Sequence, residues 1–194
     1  MNKTNGCPAK VSTPRRNSIV RRQRLFDFLD RKKDFPCIWV YGPPGSGKTT
    51  LVADYLEAQS DAASIWYRID QGDSDPASSF HYLGVASDAV VPGSRSNLPN
   101  YSSAFTRAPT TFIGRFFEKL FAGLPAPFSL VFENYQVVEA IPAFHSFVRI
   151  AIDSLPEGCT IYVISRMPPP ADLSRLIAND RLAQVTWQQL RLTP

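Results

Sequence analysis

The sequence predicts a doubly wound α/β domain built on a parallel sheet. Two observations carry that prediction. Short apolar runs alternate with helix-length amphipathic segments, as buried parallel strands and their crossover helices do. One of these runs also passes straight into a glycine-rich loop that opens a helix. The length of 194 residues suits one domain with a core large enough to fold.

Each element follows from its local pattern. "PCIWVY" (36–41) reads as a buried strand, and "KTTLVADYLEA" (48–58) as the helix after the loop. "SIWYRI" (64–69) is a second strand and "ASSFHYLGVASDAV" (77–90) a helix. Residues 91–110, rich in Pro, Ser and Asn, predict an exposed loop. "TFIGRFFEKLFAGL" (111–124) has apolar residues at helical spacing and stops before "PAP". "FSLVFEN" (128–134) is a third strand, "AFHSFVRIAIDSL" (143–155) a helix and "CTIYVISR" (159–166) a fourth strand. A helix over 173–180 and a fifth strand over 182–187 complete the pattern. The closing "LRLTP", read without a capping helix, suggests a fragment of a longer chain.

Composition narrows the class. Apolar content of 44% and charged content of 20% are those of an ordinary soluble protein. No apolar run reaches the roughly 20 residues needed to span a bilayer, and the N-terminus lacks an apolar signal core, so a cytoplasmic protein with no membrane partner is expected. Three cysteines without CxxC spacing argue against a disulfide framework and a zinc site. Cys37 and Cys159 fall in apolar runs and read as buried thiols. Residues 1–33 carry 10 basic and 2 acidic side chains, the remainder 11 and 15. Such an arm can attract nucleic acid. Aromatic residues do not interleave its early arginines, which favours a solvated lead-in over residues 1–18 and no direct DNA binding.

The loop Gly42-Pro43-Pro44-Gly45-Ser46-Gly47-Lys48-Thr49 fits GxxxxGK[ST] in the strand–loop–helix context that motif requires. Its glycines permit positive φ and turn successive N–H groups toward one anion. The helix opening at Lys48 and running through Thr50 adds its N-terminal dipole. Lys48 places a charge at the β- and γ-phosphates, and the Thr49 hydroxyl is a ligand for Mg²⁺. A nucleoside triphosphate is the implied ligand. The metal needs an acidic partner on the same sheet edge, and Glu133 ends an apolar strand there. Hydrolysis further needs a group to orient or deprotonate water, and the next residue, Asn134, cannot accept a proton. Arg166, at the end of the fourth strand, is placed to read the γ-phosphate.

Several segments together resemble the nucleotide-binding domain of the MalT-like regulators, ATP-dependent transcriptional activators of the STAND class of signalling P-loop ATPases. They are "SIVRRQRLFDFLD", "WYRIDQGDSDPASSFHYL", "LVFENYQ", "VISRMPPPADLSRL" and "LRLTP", spread over residues 11–194. The LuxR-type and BTAD-containing members are the nearest look-alikes. The resemblance implies a three-layer P-loop NTPase with strand order 5-1-4-3-2, filling residues 19–194. It also implies further regulatory and DNA-binding domains in a longer chain, nucleotide-dependent self-association, and ATP and ADP marking active and resting states. Lys48 and Thr49 match the Walker A positions, Glu133 the position of the Mg²⁺-binding Asp, and Arg166 the γ-phosphate sensor. The resemblance places Val20 near the base and Arg22 near the sugar or phosphates. Asp70 and Asp73 match an acidic stretch and read equally as helix-capping acids. Glu at 133 lengthens the reach to the metal, and Asn134 removes a base, so slow hydrolysis is expected. An active AAA+-type ATPase or a small-molecule kinase is the alternative, with Arg95 and Arg107 as the only lid arginines.

Overall fold

The computed structural model describes residues 8–14, 22–59, 62–101 and 107–191. Five parallel strands form one sheet: β1 (Cys37–Tyr41), β2 (Ala63–Arg68), β3 (Phe128–Glu133), β4 (Thr160–Ser165) and β5 (Leu182–Val185). Their order is β2-β3-β4-β1-β5, the expected 5-1-4-3-2 read from the other side. Strand ends stay level at the carboxyl edge. Arg68 pairs with Glu133, Glu133 with Ile164, and Tyr41 with Ser165.

Alternate strand residues feed two cores, which is why the strands read as continuous apolar runs. On one face Ile38, Val40, Trp66, Val131, Tyr162 and Ile164 pack under α1 (Gln23–Asp30) and α2 (Lys48–Ala58). On the other, Trp39, Ile65, Leu130, Phe132 and Val163 pack under α3 (Pro76–Val90), α4 (Pro109–Ala122) and α5 (Pro142–Asp153). The molecule is thus a three-layer α/β/α domain. Phe80 of α3 joins the second core, its ring 5.0, 4.8 and 5.5 Å from those of Phe112, Phe116 and Phe147. Such edge-to-face pairs add about 0.5–1.5 kcal/mol each beyond the area they bury. Cys37 and Cys159 are buried free thiols, as their runs predict.

Boundaries differ where proline chemistry decides them. Pro76, Pro109 and Pro142 each open a helix at its first turn, so α3, α4 and α5 start one or two residues before the expected positions. The predicted loop contains a 3₁₀ turn at Ser94–Asn97. The fifth predicted helix is shorter, with a 3₁₀ turn at Ala171–Leu173 running into α6 (Ser174–Ala178). The sheet is followed by a short helix that the sequence reading omitted, α7 (Trp187–Leu190). β5 ends at Val185 because Thr186 caps α7, its hydroxyl accepting from Gln188 N while Gln189 reaches back to Thr186 N. No helix among the described residues is long and apolar enough to cross a membrane.

Residues 8–14 lie against β2, with Val11 buried. Their anchor is Lys10, whose Nζ is 2.8 Å from both Asp70 Oδ1 and Asp73 Oδ2 and 4.9 Å from the Tyr82 ring centre. Asp70 and Asp73 form a capping box on the 3₁₀ turn Gln71–Ser74, so their role as capping acids is what the geometry shows. The Tyr67 hydroxyl also donates to the buried Asp73. Lys10 holds the Asp70 carboxyl below the usual carboxylate range. A carboxylate lowered in this way stabilises the fold above its unfolded pKa and loses that contribution as the pH falls through the acid range. Lys10→Met is therefore expected to lower stability at neutral pH, by removing the counter-charge that Lys10 supplies to Asp70. In urea denaturation the gap to the unsubstituted protein should narrow below about pH 4; an equal gap at both pH values would contradict the ion-pair account.

Candidate nucleotide site

The loop after β1 closes around its own lysine. Gly45 and Gly47 take φ of 75° and 76°, the left-handed region glycine favours. A side chain at Gly47 would also strike the Arg22 guanidinium, since its Cβ would stand 2.9 Å from Nη2. Lys48 Nζ donates to the carbonyls of Gly42 and Pro43, both at 2.8 Å, and to Ser46 Oγ at 3.1 Å. Gly47 is the N-cap of α2 and brings no side-chain cap, so the first N–H groups of the helix, those of Lys48, Thr49 and Thr50, face the loop. Burial, and secondly the charge of Arg166, draw the Lys48 ammonium below the usual lysine range. Two cations that raise each other's energy favour an anion between them.

Across the crevice the Glu133 carboxylate is buried and fully engaged. Oε1 accepts from the Thr49 hydroxyl at 2.8 Å. Oε2 accepts from Trp66 Nε1 at 2.9 Å and from Arg68 Nε at 3.0 Å. Thr49 and Glu133 therefore meet as the motif requires, but Trp66 and Arg68 already occupy Glu133 Oε2, so only Oε1 and the Thr49 hydroxyl remain to face an ion and the set fits Mg²⁺ poorly.

The remaining predicted residues fall around this pair. Arg166 follows β4 at the same edge, exposed, with its backbone N–H on Gln136 Oε1 at 3.1 Å. Asn134 takes φ of 65°, and its side-chain oxygen lies 3.5 Å from Gln136 Nε2. Pro43, Pro44 and Gly45 form the exposed outer turn, with Thr50 exposed behind them, while Gly42 is buried against Trp187 and Leu190. Arg22 reaches the loop, but through backbone: Nη2 donates to Gly47 O at 2.8 Å and Nη1 to Leu190 O at 3.4 Å. Val20 lies outside the described residues. Of the two arginines considered for a lid, Arg95 is 3.1 Å from His81 Nδ1 on α3, away from the loop.

Sequence reasoning missed Trp66, Arg68 and Gln136. The first two were within reach of a rule. If β2 borders β3 with level ends, Arg68 stands opposite Glu133, and alternation puts Trp66 on the same face. Gln136 gave no such signal, because its position depends on the 3₁₀ turn at Tyr135–Val137.

The strand order, the glycine loop and the helix it opens define a P-loop NTPase fold. No protein-family profile matches the sequence. Among solved structures the chain is similar to a Walker-type ATPase of Pyrococcus abyssi, with 14% identity and a TM-score of 0.46, covering 82% of this chain and 48% of that one. It is similar to PCH-2 of C. elegans at 13% identity and a TM-score of 0.39, covering 82% and 36%. A third is Drosophila ORC bound to AT-rich DNA and Cdc6, at 12% identity and a TM-score of 0.47, covering 86% and 53%. The chain thus spans between 36% and 53% of the chains it matches.

The Gly47 geometry makes a direct prediction. Gly47→Ala meets both a positive φ and the Arg22 guanidinium, and should cost about 2 kcal/mol in chemical denaturation. In an Arg22→Ala background the same change should cost only the backbone part, about 1 kcal/mol. Equal costs in both backgrounds would show that Arg22 does not press on the loop.

Proposed function

We propose that the chain binds ATP and ADP and acts as a nucleotide-responsive switch domain of a bacterial transcriptional regulator, hydrolysing ATP slowly. The observation that carries the nucleotide reading is the P-loop with Lys48 at its centre and the Thr49–Glu133 pair beside it. Lys48 would exchange its three loop acceptors for phosphate oxygens, and the N–H groups at the start of α2 would take the next phosphate. Thr49 and Glu133 are the residues that would meet Mg²⁺, with Arg68 already matching the charge of the carboxylate. Arg166, placed where its charge reaches Lys48, would contact the γ-phosphate.

The switch reading draws on what the site lacks beside the metal pair. Asn134 is an amide turned toward Gln136 and cannot take a proton from water. Asp70 and Asp73, two further acids that follow β2, are committed to Lys10 and to their own turn. The resemblance to the MalT-like regulators supplies the regulatory context, including the downstream domains and nucleotide-dependent self-association. The engagement of Arg95 with His81 commits one of the two arginines considered for a kinase lid.

Equilibrium titration with a fluorescent ADP should show saturable binding that Lys48→Ala weakens by at least about 100-fold, the loss of a charge-assisted contact to two phosphates. ATP turnover by the wild-type chain should stay below about 0.1 per second, short of the ~1–100 per second of enzymes with a complete base and clamp. Binding unaffected by Lys48→Ala would sink the site assignment, and fast turnover would sink the switch.

A further inference from the structure

Arg68 is the feature that the P-loop reading does not absorb. It ends β2 in register with Glu133, and its Nε lies 3.0 Å from Glu133 Oε2. The carboxylate belongs to a residue only 6% exposed, whereas the Arg68 side chain is 39% exposed and reaches the crevice from the solvent side. A buried carboxylate needs a counter-charge. In a metal-dependent P-loop site the ion provides it. Here a guanidinium, which keeps its charge at every accessible pH, already does.

We propose that Arg68 is a resident cation that stands in for Mg²⁺ at Glu133, so that this site holds nucleotide with little dependence on the metal. The proposal rests on the nucleotide-binding reading above. Three features of the geometry point to it. Glu133 Oε2 carries two donors, the Trp66 indole and Arg68, leaving only Oε1 and the Thr49 hydroxyl to face an ion. An ion at that pair would lie within a few ångströms of the guanidinium and be repelled by it, in a crevice where screening by water is reduced. Mg²⁺ also gives up its water shell reluctantly, so a carboxylate whose charge is already matched attracts it weakly. Arg68 is thus a specificity-determining residue acting through Glu133, distinct from the phosphate-contacting Lys48 and Arg166.

The test measures binding of fluorescent ADP to the full chain in saturating Mg²⁺ and in EDTA. It also follows Mn²⁺ binding to the protein–ADP complex by electron paramagnetic resonance. In the wild type, removing the metal should change nucleotide affinity by no more than about threefold, and Mn²⁺ should bind weakly. In Arg68→Met the metal should strengthen nucleotide binding by at least about tenfold, with Mn²⁺ affinity rising in step. Arg68→Lys keeps the charge and should behave as the wild type. Should Arg68→Met fail to fold by circular dichroism, the wild-type ratio and Arg68→Lys still decide. A wild-type affinity that falls tenfold or more in EDTA overturns the proposal. So does an Arg68→Met protein whose metal dependence equals that of the wild type, which would leave the pair as a plain ion bridge. Failure of the wild type to bind nucleotide under either condition would instead overturn the nucleotide reading itself, and this proposal with it.

Discussion

The buried carboxylate of Glu133 is the constraint around which this domain's working edge is arranged. It ends the strand that lies between β2 and β4, and it draws donors from two other elements: Thr49 from α2, Trp66 and Arg68 from β2. Removing any donor leaves charge less well met in a site from which water is largely excluded. The same group is therefore both a structural node and the candidate metal ligand. Its two tasks compete, since every donor that satisfies it in the folded chain is a donor that an arriving ion must share or displace. Lys48 is likewise held on the other side of the crevice, by the loop carbonyls of Gly42 and Pro43.

That doubling explains which parts of the molecule were legible in the sequence. Binary pattern placed all five strands, because each is buried on both faces and short. The resemblance supplied the strand order, which no local pattern contains. The phosphate loop was legible because its glycines answer to backbone geometry fixed within eight residues. Helix starts were misjudged by one or two residues at Pro76, Pro109 and Pro142, where apolar spacing was followed and the first-turn preference of proline was not. The short helix at Trp187–Leu190 was announced by Thr186 and Gln189 as a capping pair, a signal hidden inside a run that also reads as strand. Trp66 and Arg68 were missed for a different reason. Their role exists only once two strands lie side by side in a given register, and sequence separation from Glu133 says nothing of that.

The switch proposed above would need a physical path away from the phosphates, and short-range links lead from the loop to the segment that leaves the sheet. Arg22 bridges the carbonyl of Gly47, inside the loop, and that of Leu190, the last residue of α7. Arg24, two residues further along the same segment, donates to the carbonyls of Gln189 and Arg191, both at 2.8 Å. These acceptors include carbonyls at the C-terminal end of a helix, where orphan acceptors and the helix dipole favour cations. Gly42 packs against the other face of the same short helix, through Trp187 and Leu190. The loop and α7 are thus tied by hydrogen bonds on one side and apolar contact on the other. Were an anion to reorient the Gly47 peptide, it would alter the acceptor that Arg22 holds, and with it the bond from Arg22 to Leu190. Coupling of this kind needs no long wire, because the phosphate loop and the segment leaving the sheet are separated by a single guanidinium.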